Sequence, residues 1–94
     1  MNNSYTTHTN QNHEILEIWK GTNKYGETGY FVVARNPHKE SGAFEWGSYY
    51  DINRGYWGHG HYDYKSLASA RRDMLSMYKD FELDLIVKNK LGEY

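Results

Sequence analysis

The chain has 94 residues and a formal net charge of −1, from 11 basic and 12 acidic side chains. That is the size of one domain with a thin core, and it argues against a protein recruited by phosphate contacts alone, because such proteins carry a basic excess. Cysteine is absent, which excludes disulfide stapling, thiolate catalysis and cysteine zinc sites. No apolar run reaches the roughly 20 residues of a membrane span, and residues 1–13 lack the apolar core of a signal peptide. The expectation is a cytoplasmic domain without a cofactor. Ten Tyr, three Trp and three Phe must supply much of its core, with tyrosine hydroxyls reaching water.

Residues 1–13 are almost wholly polar and cannot offset the entropy of ordering, so they are expected to form a flexible tail before a single domain over 14–94. Glu14 to Lys20 (EILEIWK) is rich in β-branched and aromatic residues and reads as a strand. Gly21 to Glu27 is a turn. Gly29 to Arg35 (GYFVVAR) reads as an inner strand, apolar on both faces. Asn36-Pro37 ends it, and a loop runs through Gly42. Ala43 to Tyr50 is a third strand with Phe44, Trp46 and Tyr50 on one face. Asp51 to Gly55 is a hairpin loop.

Tyr56 to Tyr64 (YWGHGHYDY) reads as a fourth strand. A period of two puts Tyr56, Gly58, Gly60 and Tyr62 on one face and Trp57, His59, His61 and Asp63 on the other. Two glycines on one face leave a trough. The following helix is expected to fill it, which turns Trp57 and the histidines toward solvent. Ser66 is placed as the N-cap of that helix, and Leu67, Ala70, Met74, Met77 or Tyr78, and Phe81 follow helical spacing. Glu82 to Lys88 (ELDLIVK) alternates Leu83, Leu85 and Val87. It reads as a fifth strand, with continuation of the helix as the alternative. The expected fold is α+β: an antiparallel four- or five-stranded sheet with one helix on one face, ordered β-β-β-β-α with or without a last β, and successive strands adjacent.

His59 and His61, with Asp63 beyond them, have the residue types for a transition metal or for acid–base catalysis. No further ligand stands at a useful spacing, and no nucleophile or phosphate-cradle motif accompanies them. An enzyme is therefore not expected, and a small histidine metal site on the sheet face stays an alternative behind a nucleic-acid-binding or regulatory accessory domain. Gly58-His59-Gly60 lies inside a strand and opens no helix, so it implies no phosphate site. Arg71-Arg72 reads as a solvated helix face. What remains is a contact surface of Trp57, His59, His61, Tyr49 on the neighbouring strand and Arg54 on the adjoining loop, with rigid aromatics of the kind that anchor a protein partner. Stacking of nucleic acid on such a face would draw only on Arg54, Lys65, Arg71 and Arg72 for cations, so charge disfavours it. An exposed edge strand allows a dimer as well as a monomer.

The strand FEWGSYYD (Phe44 to Asp51), the W-G-H-G-H-Y run after it and the helix start S-L-x-x-A-x-x-D from Ser66 to Asp73 resemble small accessory proteins of Gram-positive phages and conjugative elements. The resemblance implies an inhibitor that binds and blocks a host component such as a restriction or CRISPR nuclease. The near-neutral charge departs from the strong acidity of nuclease inhibitors that mimic DNA, so DNA mimicry is not implied.

Overall fold

A computed structural model describes residues 8–9 and 13–89, with the backbone alone at His8, Thr9 and His59. Strands β1 (His8–Thr9), β2 (His13–Thr22), β3 (Thr28–Arg35), β4 (Phe44–Asp51) and β5 (Tyr56–Tyr64) lie side by side in that order. β6 (Asp84–Lys88) joins the outer edge of β2, and every pairing is antiparallel. β1 and β6 share that edge, β1 opposite His13 and Glu14, β6 opposite Glu17 to Lys20. Helix α1 (Leu67–Met77) packs on β3, β4 and β5, and a turn of 3-10 helix (Lys79–Phe81) leads across β2 into β6. The fold is the expected α+β arrangement, with the last segment a strand. None of the described helices is long and apolar enough to cross a membrane.

Local chemistry explains the element ends. Ser66 caps α1: its Oγ accepts from the Ser69 amide at 3.0 Å, and the Ser69 side chain returns to the Ser66 backbone, a capping box. Asn36 closes the β3–β4 loop, its amide donating to the Ala43 carbonyl at 2.8 Å and its Oδ1 accepting from the His38 amide at 3.0 Å. β2 starts at His13 and pairs with His8–Thr9. Ordered backbone thus enters the stretch expected as a tail. The rest of that expectation, residues 1–7 and 10–12, lies outside the described residues.

The sheet has an apolar cluster on each face. Leu16, Phe31, Val33 and Trp46 pack under Leu67, Ala70 and Met74 of the helix. On the far face Ile15, Ile18, Val32, Ala34 and Trp57 form a second cluster, rimmed by Tyr49, Ile52 and Val87. A bulge in β2 sets Leu16 and Glu17 together opposite Val33, so both turn toward the helix. There the Glu17 carboxylate accepts from Arg71 Nε at 3.0 Å and from Trp19 Nε1 at 3.0 Å, which pins the helix to β2.

Bulges also decide which way β5 faces. The register runs Tyr49↔Trp57, Ser48↔Gly58, Trp46↔His61 and Phe44↔Tyr64. β5 therefore carries one extra residue between Gly58 and His61 and a second between His61 and Tyr64, while Tyr50 is the extra residue on β4. Each extra residue breaks the period of two. The expectation that Gly58 and Gly60 lie beneath the helix is overturned. A Cβ on Gly58 would meet the Tyr50 ring at 3.6 Å, and one on Gly60 would run into the Trp46 carbonyl. On the far face it is Gly47 that receives the Trp57 indole: a Cβ there would sit 2.5 Å from Trp57 Cε3.

Candidate functional site

Four of the five residues expected to form one contact surface have described side chains, and these four do not lie together. Trp57 does face away from the helix, but it is only 4% exposed, its indole lying along β4 over Gly47 and not in solvent. Tyr49 stands beside it, half-buried. His61 is on the helix side, where its ring stacks on Trp46 with centroids 4.6 Å apart and planes 9° from parallel. The bulge between Gly58 and His61 causes that switch. Arg54 is 72% exposed on the hairpin and pairs loosely with Asp51 at 3.5 Å. The expectation for the His59 side chain lies outside the described residues. Asp63, the third candidate ligand, is engaged by Lys39. Among the described residues no group of three His, Cys, Asp or Glu side chains is placed to hold a metal ion.

What the fold assembles instead is a cavity of about 540 Å³ where the β3–β4 loop meets the ends of β2, β4 and β5. Its chemistry comes from His13, Lys39, Glu45, Trp57, Tyr62 and Asp63. Glu45 is the deepest of the charged groups, 3% exposed. It lies on the face opposite Trp46 and pairs in register with Ala34. The small Ala34 side chain leaves room for His13, on β2, to reach over β3, and its Nδ1 hydrogen-bonds Glu45 Oε2. Burial raises the Glu45 pKa above the ordinary 4.5. The charge and hydrogen bond of His13 and the charge of Lys39 oppose the rise, and Asp63 adds to it. The Trp57 ring stands 6.3 Å from the His13 ring.

The opposite wall depends on the second β5 bulge. Asp63 has φ 72, a left-handed conformation that Asp and Asn tolerate better than most residues. Because of it Tyr62 and Asp63, adjacent in sequence, both line the cavity, whereas Tyr64 turns back to the helix face. Lys39 Nζ, from the loop, donates to Asp63 Oδ1. Two acids and two bases thus surround the space, each acid engaged by a base, with aromatic rings beside them.

A second polar cluster fastens the helix to the sheet. Trp46 Nε1 donates to Asp73 Oδ2 at 3.0 Å and to Tyr64 Oη at 3.1 Å, and the Tyr64 hydroxyl donates to Asp73. The hydrogen bonds from Tyr64 and then Trp46 hold the Asp73 carboxyl below its ordinary 3.8, while burial and the Asp73 bond raise the Tyr64 pKa. These groups satisfy one another and work structurally.

Of the cavity residues, Trp57 and Asp63 are visible in the sequence, the one as an aromatic anchor and the other as a candidate ligand. His13 was assigned to the tail, and Lys39 to an unremarkable loop. Glu45 carries a fainter signal: a carboxylate set between Phe44 and Trp46 at the start of an aromatic strand. Comparison with protein-family models, curated proteins and solved structures finds no match.

Proposed function

We propose that the chain is a non-catalytic protein-binding module, of the type by which a mobile element inhibits a host defence protein such as a restriction or CRISPR nuclease, and that the cavity is where the partner is engaged. The observation that carries this reading is Glu45, a carboxylate 3% exposed at the wall of an open cavity. Burying an ionised group costs free energy that an apolar residue would spare. Recognition sites use a few such polar groups in an otherwise apolar surround. A binding role is favoured over covalent catalysis because, among the described residues, no Ser, Thr or Cys lines the cavity and its acids and bases are paired with one another.

The test places a photo-cross-linking residue at Tyr62, on the cavity, or at Arg72, on the exposed helix, in a Gram-positive host. A partner captured from position 62, absent from position 72 and lost with Asp63→Asn is the expected result. Equal capture from both positions, or capture indifferent to Asp63→Asn, removes the cavity from the contact.

One observation favours a nucleic-acid reading as a second possibility. Tyr50 and Tyr56 are 70% and 49% exposed, their ring centroids 6.2 Å apart beside Arg54, a platform on which a single strand could stack. Binding of that kind falls steeply with salt and with Tyr50→Ala. A salt-independent affinity would leave the protein partner as the reading.

A further inference from the structure

The cavity already holds a cation. Lys39 Nζ reaches in from the loop to Asp63, and its charge also favours the ionised form of Glu45. Glu45 and Asp63 act on one another as like charges, so the space they share favours a positive group and disfavours an anion. Trp57 and Tyr62 bound the same space with aromatic rings, and ring faces attract cations. Carboxylates beside aromatic surfaces suit a planar, delocalised guanidinium better than a compact ammonium, because the guanidinium offers two parallel donors and stacks.

The existing ion pairs differ in how readily they exchange. The Lys39 side chain is 40% exposed and its partner more so. A pair of that kind contributes little, and a lysine on a flexible stem returns to water easily. His13–Glu45 is buried, and breaking it would leave an uncompensated charge. A ligand cation therefore has a low-cost route in, by displacing Lys39. A ligand anion does not, since it would have to part His13 from Glu45 or face two carboxylates. The left-handed backbone at Asp63 is part of the same geometry. Backbone strain of this kind collects where a side chain must be aimed, and here it turns Tyr62 and Asp63 to the same side.

We infer that the cavity is an arginine site: a guanidinium on the surface of the partner displaces Lys39 from Asp63, is held by that carboxylate with Glu45 as the second negative charge, and lies against the aromatic wall. Lys39 is the internal occupant that holds the site until the partner arrives. The inference rests on the protein-binding reading only for the source of the arginine.

The experiment titrates the ¹⁵N-labelled full chain with N-acetyl-arginine methylamide and follows the Trp57 indole N–H and the backbone amides of Tyr62 and Asp63. The uncharged isostere N-acetyl-citrulline methylamide and the corresponding lysine compound are run beside it. Saturable shifts with the arginine probe are expected, weaker ones with lysine and none with citrulline. Lys39→Met removes the competitor and should tighten Kd by about two- to fivefold, the equivalent of one surface ion pair. Asp63→Asn should weaken it about tenfold or more, with amide dispersion checking that the fold is retained. Saturation seen only in Lys39→Met also supports the site, since Lys39 then competes in the wild type. Absence of saturable shifts in both proteins, an equal response to citrulline, or an unchanged Kd in Asp63→Asn overturns it. Binding of the arginine probe without a partner captured from position 62 would end the protein-binding reading and leave the guanidinium site standing. A captured partner with the Trp57 and Asp63 signals unmoved would do the reverse.

Discussion

Gly47→Ala tests the placement of the cavity's aromatic wall. Gly47 has no positive φ, so alanine fits the backbone and gains about 0.4–1 kcal/mol by restricting the unfolded chain. Against that gain, the new Cβ would stand 2.5 Å from Trp57 Cε3, 3.0 Å from Cζ3 and 3.1 Å from the Gly58 carbonyl. The indole is buried and must shift, at an overpacking cost of about 1–3 kcal/mol. Overpacking wins, and the net loss is about 1–2 kcal/mol, which for a domain of this size is a fall in Tm of roughly 5–15 °C. The assay is thermal and urea unfolding followed by circular dichroism, repeated in a Trp57→Leu background. With the indole gone the same alanine should cost little or should stabilise, a coupling of about 1–3 kcal/mol between the two sites. An equal loss in both backgrounds would mean that the indole does not cover Gly47, and the cavity would lose that wall.

The remaining predictions concern charges and caps. Asp73→Asn loses charge-assisted hydrogen bonds from Tyr64 and Trp46 and should cost about 1.5 kcal/mol at neutral pH, the lower end for a partly exposed group. Because the folded Asp73 pKa is depressed below 3.8, its stabilisation is present above the ordinary value and is lost as pH falls through the lower folded one. Acid unfolding of Asp73→Asn should lack that component. Glu45 has the opposite sign. Its folded pKa is raised above 4.5, so the folded state binds more protons across that window and stability falls as pH rises. Measured in a His13→Gln background, which isolates the carboxyl, Glu45→Gln should flatten the decline in urea midpoint as pH rises above the ordinary 4.5. An unchanged slope would show that Glu45 is not desolvated. Ser66→Ala removes the hydrogen bond to the Ser69 amide and should cost about 1 kcal/mol in urea unfolding.

What the sequence shows and what it hides divide along the range of the interactions. Ser66 announces the helix because the cap and the orphan amide it satisfies lie three residues apart, and Asn36-Pro37 announces a turn for the same reason. The strands are visible because β-branched and aromatic residues cluster. Which way a strand faces is another matter, since a period of two holds only between bulges. β5 has two, and β4, β2 and β6 one each. Trp57, His61 and Asp63 were placed on one face by counting across the bulges, whereas His61 belongs with Trp46 and the helix. Gly60 was the available sign: a glycine inside a strand marks a bulge or a close backbone approach as often as a trough, and here it meets the Trp46 carbonyl. His13, Lys39 and Glu45 were hidden for a different reason. They lie on β2, on a loop and on β4, and become neighbours only in the folded sheet, where His13 reaches Glu45 across β3 and Lys39 reaches Asp63 from the loop.

The irregularities of β5 also bear on what an edge strand can do. A straight edge exposes an even row of amides and carbonyls and invites a second chain to pair with it. Here the extra residues at 59–60 and 62–63 and the left-handed Asp63 interrupt that row, and bulged edges are a recognised way of preventing such pairing. The opposite edge is divided between two short strands, β1 and β6. The distortions that create the cavity thus also blunt β5 as a template for an edge-to-edge dimer. Under the proposed binding role, recognition would then fall to side chains such as those of the cavity beside the strand.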